Sequence, residues 1–142
     1  MIEVGPGVRL AVDVWPAAVG TGRGDEAPAA LRAPEPAPAA FLLVHGLASN
    51  ARLWDGVAES LAGRGHACAA VDQRGHGRSD KPDDGYDLAT ACSDLRTVLA
   101  SLRAGTDGFE GPVVVVGQSW GATVVLELAY RHPDEVAAVV CV

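Results

Sequence analysis

Apolar residues recur along this chain in two distinct patterns. Ala40-Phe41-Leu42-Leu43-Val44, Ala67-Cys68-Ala69-Ala70-Val71 and Val113-Val114-Val115-Val116 are continuous apolar runs with no polar alternation. Runs of this length suit strands buried on both faces of a parallel sheet. Between and after them the spacing changes to that of an amphipathic helix. Trp54, Val57, Ala58, Leu61 and Ala62 form one such face, stopped by Gly63 and Gly65. Leu88, Ala91, Cys92, Leu95, Leu99 and Leu102 form a second, with Asp87 placed to cap it. Ala122, Val125, Leu126, Ala129 and Tyr130 form a third, closed by Pro133. Residues 8–15 alternate partly and predict a half-exposed strand, preceded by a shorter one at 2–4 across a Gly5-Pro6-Gly7 turn. Residues 136–142 predict a last strand.

Strands alternating with helices predict an α/β fold, with a mostly parallel, doubly wound sheet and helices on both faces. The expected unit is a single domain over 1–142. Residues 17–38 interrupt it. They are rich in Ala, Gly and Pro, and Pro28, Pro34, Pro36 and Pro38 exclude a regular helix or central strand. This stretch reads as a flexible loop.

Composition narrows the function classes. Half the residues are apolar, and the net charge is −7 without a Lys/Arg cluster. That argues against a nucleic-acid footprint. Cys68, Cys92 and Cys141 have no metal-type spacing and read as small core residues. No metal or cofactor is expected. No apolar run is long enough to span a bilayer. With no signal-peptide pattern at the start, the expected location is cytoplasmic.

The chemistry concentrates at Gly117-Gln118-Ser119-Trp120-Gly121, between the valine run and the third helix. A serine flanked by glycines at a strand-to-helix turn is the nucleophile-elbow pattern. Glycine is needed at 117 and 121 because the turn brings backbone segments close together. Ser119 is then the candidate nucleophile, with its hydroxyl at the carboxyl edge of the sheet. Dinucleotide binding at this turn fails, because G-x-G-x-x-G is missing and bulky Trp120 sits where a pyrophosphate needs small residues.

Two further segments follow predicted strands: Val44-His45-Gly46-Leu47 and Asp72-Gln73-Arg74-Gly75-His76-Gly77-Arg78-Ser79. With the elbow, these make the chain resemble the α/β-hydrolase superfamily, in its serine-nucleophile branch, from about residue 40 onward. The resemblance implies an oxyanion hole built from the backbone N–H groups of Leu47 and Trp120, with His45, Gly46, Gly117, Gln118 and Gly121 in support. Each such donor supplies about 3–4 kcal/mol of transition-state stabilisation. The glycine-rich loop at 72–85 would shape a pocket wall, with Asp72, Arg74 and Ser79 as structural residues. His45 would pack and hydrogen-bond, and His76 would be a loop residue.

The family triad also needs an acid and a histidine after the serine. The residues that follow here are Glu127, His132, Asp134 and Glu135. His132 lies at the far end of the third helix, about 20 Å from Ser119 at 1.5 Å rise per residue. The expectation is therefore an N-terminal portion of a serine hydrolase acting on an ester or related carbonyl. Its acid, base and lid would lie elsewhere, and residues 1–142 alone would be inactive. A non-catalytic degenerate module remains an alternative, as do a cofactor-free perhydrolase and a carbon–carbon bond hydrolase. The strand at 136–142 would form an apolar sheet edge, a site for self-association.

Overall fold

The computed structural model describes residues 1–18, 38–110 and 113–142. Most of the loop expected at 17–38 lies outside them. Among the described residues seven strands and three α-helices follow one another: β1 (Ile2–Gly5), β2 (Val8–Leu10), β3 (Val12–Trp15), β4 (Ala40–Val44), α1 (Asp55–Ala62), β5 (Cys68–Val71), α2 (Leu88–Gly105), β6 (Val113–Gly117), α3 (Trp120–Arg131) and β7 (Ala138–Cys141). Short 3-10 turns at Ala51–Trp54 and Pro133–Glu135 precede α1 and β7.

The main sheet has the order β3-β5-β4-β6-β7, parallel except for antiparallel β3. The continuous apolar runs occupy its centre because both faces are covered. Leu42, Val44, Ala69 and Val115 pack with Cys92, Leu95 and Leu99 of α2 and Val124 and Leu128 of α3. On the other face Leu43, Cys68, Ala70 and Val116 pack with Trp54 and Ala58. The doubly wound α/β architecture expected from the sequence is the architecture found. Among the described residues no helix is long and apolar enough to cross a membrane.

Three local expectations need correction. The single strand expected at 8–15 is two strands in two sheets. β2 pairs with β1 in a separate two-stranded sheet, while β3 pairs with β5. The break falls at buried Ala11, whose N–H donates to Ser79 Oγ at 2.8 Å and whose carbonyl accepts from Asp72 N–H at 2.9 Å. Those partners lie some 60 to 70 residues away, so local alternation carries no trace of them.

The phase of α3 also differs. Gly121, Val124, Val125 and Leu128 are buried, whereas Leu126 is exposed and Tyr130 is 83% exposed. The backbone approach at Gly121 fixes which face of the helix meets the sheet, and side-chain bulk follows. Finally, Cys68 and Cys92 are buried as expected, but Cys141 lies exposed on β7. Burial pushes the Cys68 thiol up to about 11, so it stays protonated at neutral pH.

Asp72, just after β5, organises the loop that follows. It is 2% exposed and accepts from Ala51 N–H at 2.7 Å and Arg78 N–H at 2.9 Å. Burial alone would raise its pKa. The two backbone donors and the Arg78 guanidinium outweigh that and hold the carboxyl below its usual range. Gly77, at φ +48°, lies against the carboxylate and leaves no room for a Cβ. The Asp72 carbonyl accepts from Ser79 Oγ at 2.5 Å. One residue thus ties the 51–54 turn to the 72–79 loop.

Replacing Asp72 with Asn leaves a buried donor without its charged partner, and is expected to lower stability by about 1–3 kcal/mol in chemical denaturation. Because the folded pKa is depressed, the carboxylate's contribution is present above its unfolded pKa. It is lost as pH falls through the folded value. A loss under about 0.5 kcal/mol would remove Asp72 from this role.

Candidate active site

β6 ends at Gly117 and α3 begins at Trp120, so only Gln118 and Ser119 separate strand from helix. So abrupt a reversal forces Ser119 to φ 53°, ψ −118°. A non-glycine residue there costs about 1–3 kcal/mol. Hydrogen bonds hold it: Gln118 N–H donates to Val44 O and Ser119 N–H to Val142 O, both at 3.0 Å. Close packing also holds it. A Cβ on Gly117 would lie 2.5 Å from Ala122 N, and one on Gly121 would lie 2.5 Å from His45 O. Both are far inside van der Waals contact.

Ser119 occupies the N-cap position of α3, where a serine oxygen ordinarily accepts from the first turn. Here its side chain makes no capping bond. The residue is exposed, and its hydroxyl takes part in no hydrogen bond among the described residues.

The loop after β4 docks against this turn. Gly46 N–H donates to Gln118 Oε1 at 3.1 Å, and a Cβ on Gly46 would approach Ser119 Cβ to 3.0 Å. Beyond Gly46 the chain turns at Leu47 and Ala48, and Ala48 takes φ 55°. Ala48 and Ser119 are the two non-glycine residues with positive φ among the described residues. Ala48 directly follows Leu47, and Ser119 directly precedes Trp120. Neither the Leu47 N–H nor the Trp120 N–H makes a backbone hydrogen bond among the described residues. The strain at Ala48 has no sequence signature, since alanine seldom adopts that conformation.

His45 is fully buried. Its Nδ1–H donates to Gly46 O at 2.6 Å, and its Nε2 accepts from Gln73 N–H at 3.0 Å. Gln73 Nε2 donates in turn to His45 O. Both ring nitrogens are committed, so this histidine fixes the loop and is not free to take a proton from Ser119. Burial lowers its pKa, aided by the nearby His76 ring, against the opposing pull of the Gly46 carbonyl and Asp72. A proton on Nε2 would also face the Gln73 N–H.

His76 lies with its ring centroid 5.1 Å from that of His45, and its Nδ1 bonds to Arg74 O. His66 accepts from Ala39 N–H through Nδ1. His132 follows the last turn of α3, at the end opposite Ser119. Among the described residues, no histidine is hydrogen-bonded to Ser119.

A cavity of about 260 Å³ opens beside Leu47 and Trp120. Leu10, Leu95, Ala91 and the Tyr86 ring form its apolar walls. Arg74 and Asp94 also border it, joined by two hydrogen bonds of 2.9 and 2.8 Å. Asp94 was not recognisable from sequence as part of this site. It stands among the apolar positions of α2, yet it is 3% exposed. Its partner Arg74 lies on the 72–85 loop, where the resemblance implies a pocket wall with Arg74 as a structural residue. Among the described residues no group of three or more His, Cys, Asp or Glu side chains could hold a metal ion.

The protonation state of His45 gives a test. Above about pH 6.5, the ordinary imidazole value, its neutral form contributes fully to stability. As pH falls, unfolded chains take up a proton that folded chains resist, and the contribution is lost toward the lowered folded pKa. The urea midpoint is expected to drop between pH 7.5 and pH 5.5, and His45→Gln should flatten that drop. Equal slopes in the two proteins would show that His45 is not its source.

Comparison with known proteins bears on the fold. The family model described as alpha/beta hydrolase fold matches residues 39–142. A 2-(acetamidomethylene)succinate hydrolase from Mesorhizobium japonicum is 35% identical over 102 residues, covering 72% of this chain and 34% of its own length. Epoxide hydrolase B from Mycobacterium tuberculosis is 37% identical over 101 residues, covering 70% of this chain and 27% of its own. The crystal structure of an E-2-(acetamidomethylene)succinate hydrolase superposes with a TM-score of 0.73 at 26% identity, covering 97% of this chain and 41% of that one. The chain thus spans about a third of the length of these curated relatives. With the sheet order, the strained serine turn and the docked Gly46 loop, this match shows that the chain belongs to the α/β-hydrolase fold family.

Proposed function

We propose that this chain carries the nucleophile and oxyanion hole of a serine hydrolase acting on an ester, thioester or amide-like carbonyl. The observation that carries this reading is the state of Ser119. It is held at φ 53°, it is exposed, and its hydroxyl does not cap the helix that begins beneath it. Strain of that kind persists only where surrounding structure imposes it, and it clusters at functional sites.

In the proposed reaction Ser119 Oγ attacks the carbonyl carbon, and its proton passes to a general base. The developing oxyanion accepts from the backbone N–H groups of Leu47 and Trp120. The bond to the leaving alcohol, thiol or amine then breaks as that group takes the proton, leaving an acyl-enzyme. Water repeats the sequence and releases the acid.

The base and its orienting acid are proposed to come from outside residues 1–142. His45 has both ring nitrogens committed, and His132 lies at the wrong end of α3. On this reading residues 1–142 form one partial domain and are inactive alone. A small-molecule substrate and no resident cofactor are part of the same proposal.

Several relatives are named as epoxide hydrolases. A serine alkoxide opening an epoxide would leave an ether, which water does not readily cleave. The serine at 119 therefore favours acyl chemistry. A perhydrolase or carbon–carbon hydrolase would use the same serine and donors.

Labelling with a fluorophosphonate probe tests the assignment in the protein expressed from its whole reading frame. Ser119→Ala is expected to abolish labelling, and labelling that survives would refute the nucleophile. The edge strand gives a second test. β7 pairs on one side with β6, and Val140 on it is exposed. Residues 1–142 expressed alone are expected to self-associate through this edge. A monodisperse monomer by light scattering would count against that.

A further inference from the structure

We propose that the cavity beside Leu47 and Trp120 is an acyl pocket for an uncharged, apolar acyl group of about ten non-hydrogen atoms, such as an octanoyl or phenylacetyl group. The inference rests on the serine acyl-transfer reading above and names the substrate class for the same site.

Position gives the first support. The cavity is bordered by Leu47 and Trp120, the residues whose N–H groups are the proposed oxyanion donors. A carbonyl oxygen lying between those donors, with its carbon at Ser119, leaves one substituent directed into this space.

Size gives the second. An engineered apolar cavity of about 150 Å³ holds benzene. A space of about 260 Å³ therefore suits a group about 1.7 times as large.

The polar atoms on the wall give the third and decide the chemical class. Five polar side chains there already have a partner within the protein. Arg74 and Asp94 satisfy one another through two hydrogen bonds, with side chains only 12% and 5% exposed. Gln73 Nε2 donates to His45 O, and the Tyr86 hydroxyl donates to Pro82 O at 2.6 Å. His76 is bound through Nδ1 to Arg74 O.

The guanidinium that could have recognised a carboxylate is thus neutralised in place. An anionic acyl group would meet a guanidinium whose charge Asp94 already offsets, with the Asp94 carboxylate as a like charge close by. What the cavity presents to an occupant is chiefly the carbon of Leu10, Ala91, Leu95, the Tyr86 ring and Trp120. Ala91, partly buried on the wall of α2, is the smallest side chain among these, and enlarging it shortens the space.

The test uses the protein expressed from its whole reading frame and three p-nitrophenyl esters: acetate, octanoate and hemisuccinate. Octanoate is expected to be preferred, and Ala91→Phe should lower the octanoate-to-acetate ratio of kcat/KM by about tenfold or more. If that variant does not fold, Ala91→Leu should shift the ratio in the same direction by less. Binding of 2-decanone to Ser119→Ala protein, followed by saturation-transfer NMR, reads the pocket without any acyl transfer. It should be lost when Ala91→Phe is added. An unchanged ester ratio with 2-decanone still bound, or a preference for the hemisuccinate, overturns the pocket assignment. If fluorophosphonate labelling fails while Ala91→Phe still abolishes 2-decanone binding, the serine reading falls and the apolar pocket stands.

Discussion

The site depends on three places where the backbone comes too close for a Cβ. Gly117 meets the first turn of α3, Gly121 meets the carbonyl end of β4, and Gly46 meets the Gln118–Ser119 turn. Together they press the N-terminus of α3 against two adjacent strands. With the helix held there, Ser119 has no ordinary conformation available. Its strain of about 1–3 kcal/mol is offset locally by backbone hydrogen bonds to Val44 and Val142, each worth about 0.5–1.5 kcal/mol net. Burial of Val116, Val124 and Val125 around the turn adds more than the strain removes.

A second constraint shapes the ground beside the serine. Asp72 draws Ala51, Arg78 and, through Ser79, Ala11 toward the end of β5. That arrangement sets the path of the glycine-rich loop. It leaves Arg74 facing Asp94 across the cavity wall and Gln73 beneath His45. Loop, histidine and ion pair form a connected support for the Gly46 turn, because each link shares a residue with the next. The proposed substrate class follows from the same network, since a charge already paired within the fold is withdrawn from recognition.

Much of the architecture could be read in advance. The central strands β4, β5 and β6 are continuous apolar runs, and only a sheet covered on both faces accommodates them. The cap at Asp87, which accepts from Thr90 N–H, was visible because an N-cap is a local interaction. The failures share a cause. The break at Ala11, the burial of Asp94 and the rotated face of α3 each depend on a partner distant in sequence. Tyr130 looked like core by spacing, but the backbone approach at Gly121 turned it outward.

By itself the sequence determined the alternation of strands and helices and the position of the strained serine turn. Both are encoded by residue types acting on their neighbours: apolar periodicity in the first case, the absence of side chains at 117 and 121 in the second. Only the tertiary structure decided that the Gly46 loop lies against Ser119, that Ala48 shares its unusual backbone, and that Arg74 is neutralised by Asp94. Those outcomes are contacts between segments 20 to about 75 residues apart. Their geometry is fixed by how the sheet brings its strand ends together, which no local pattern of residues records.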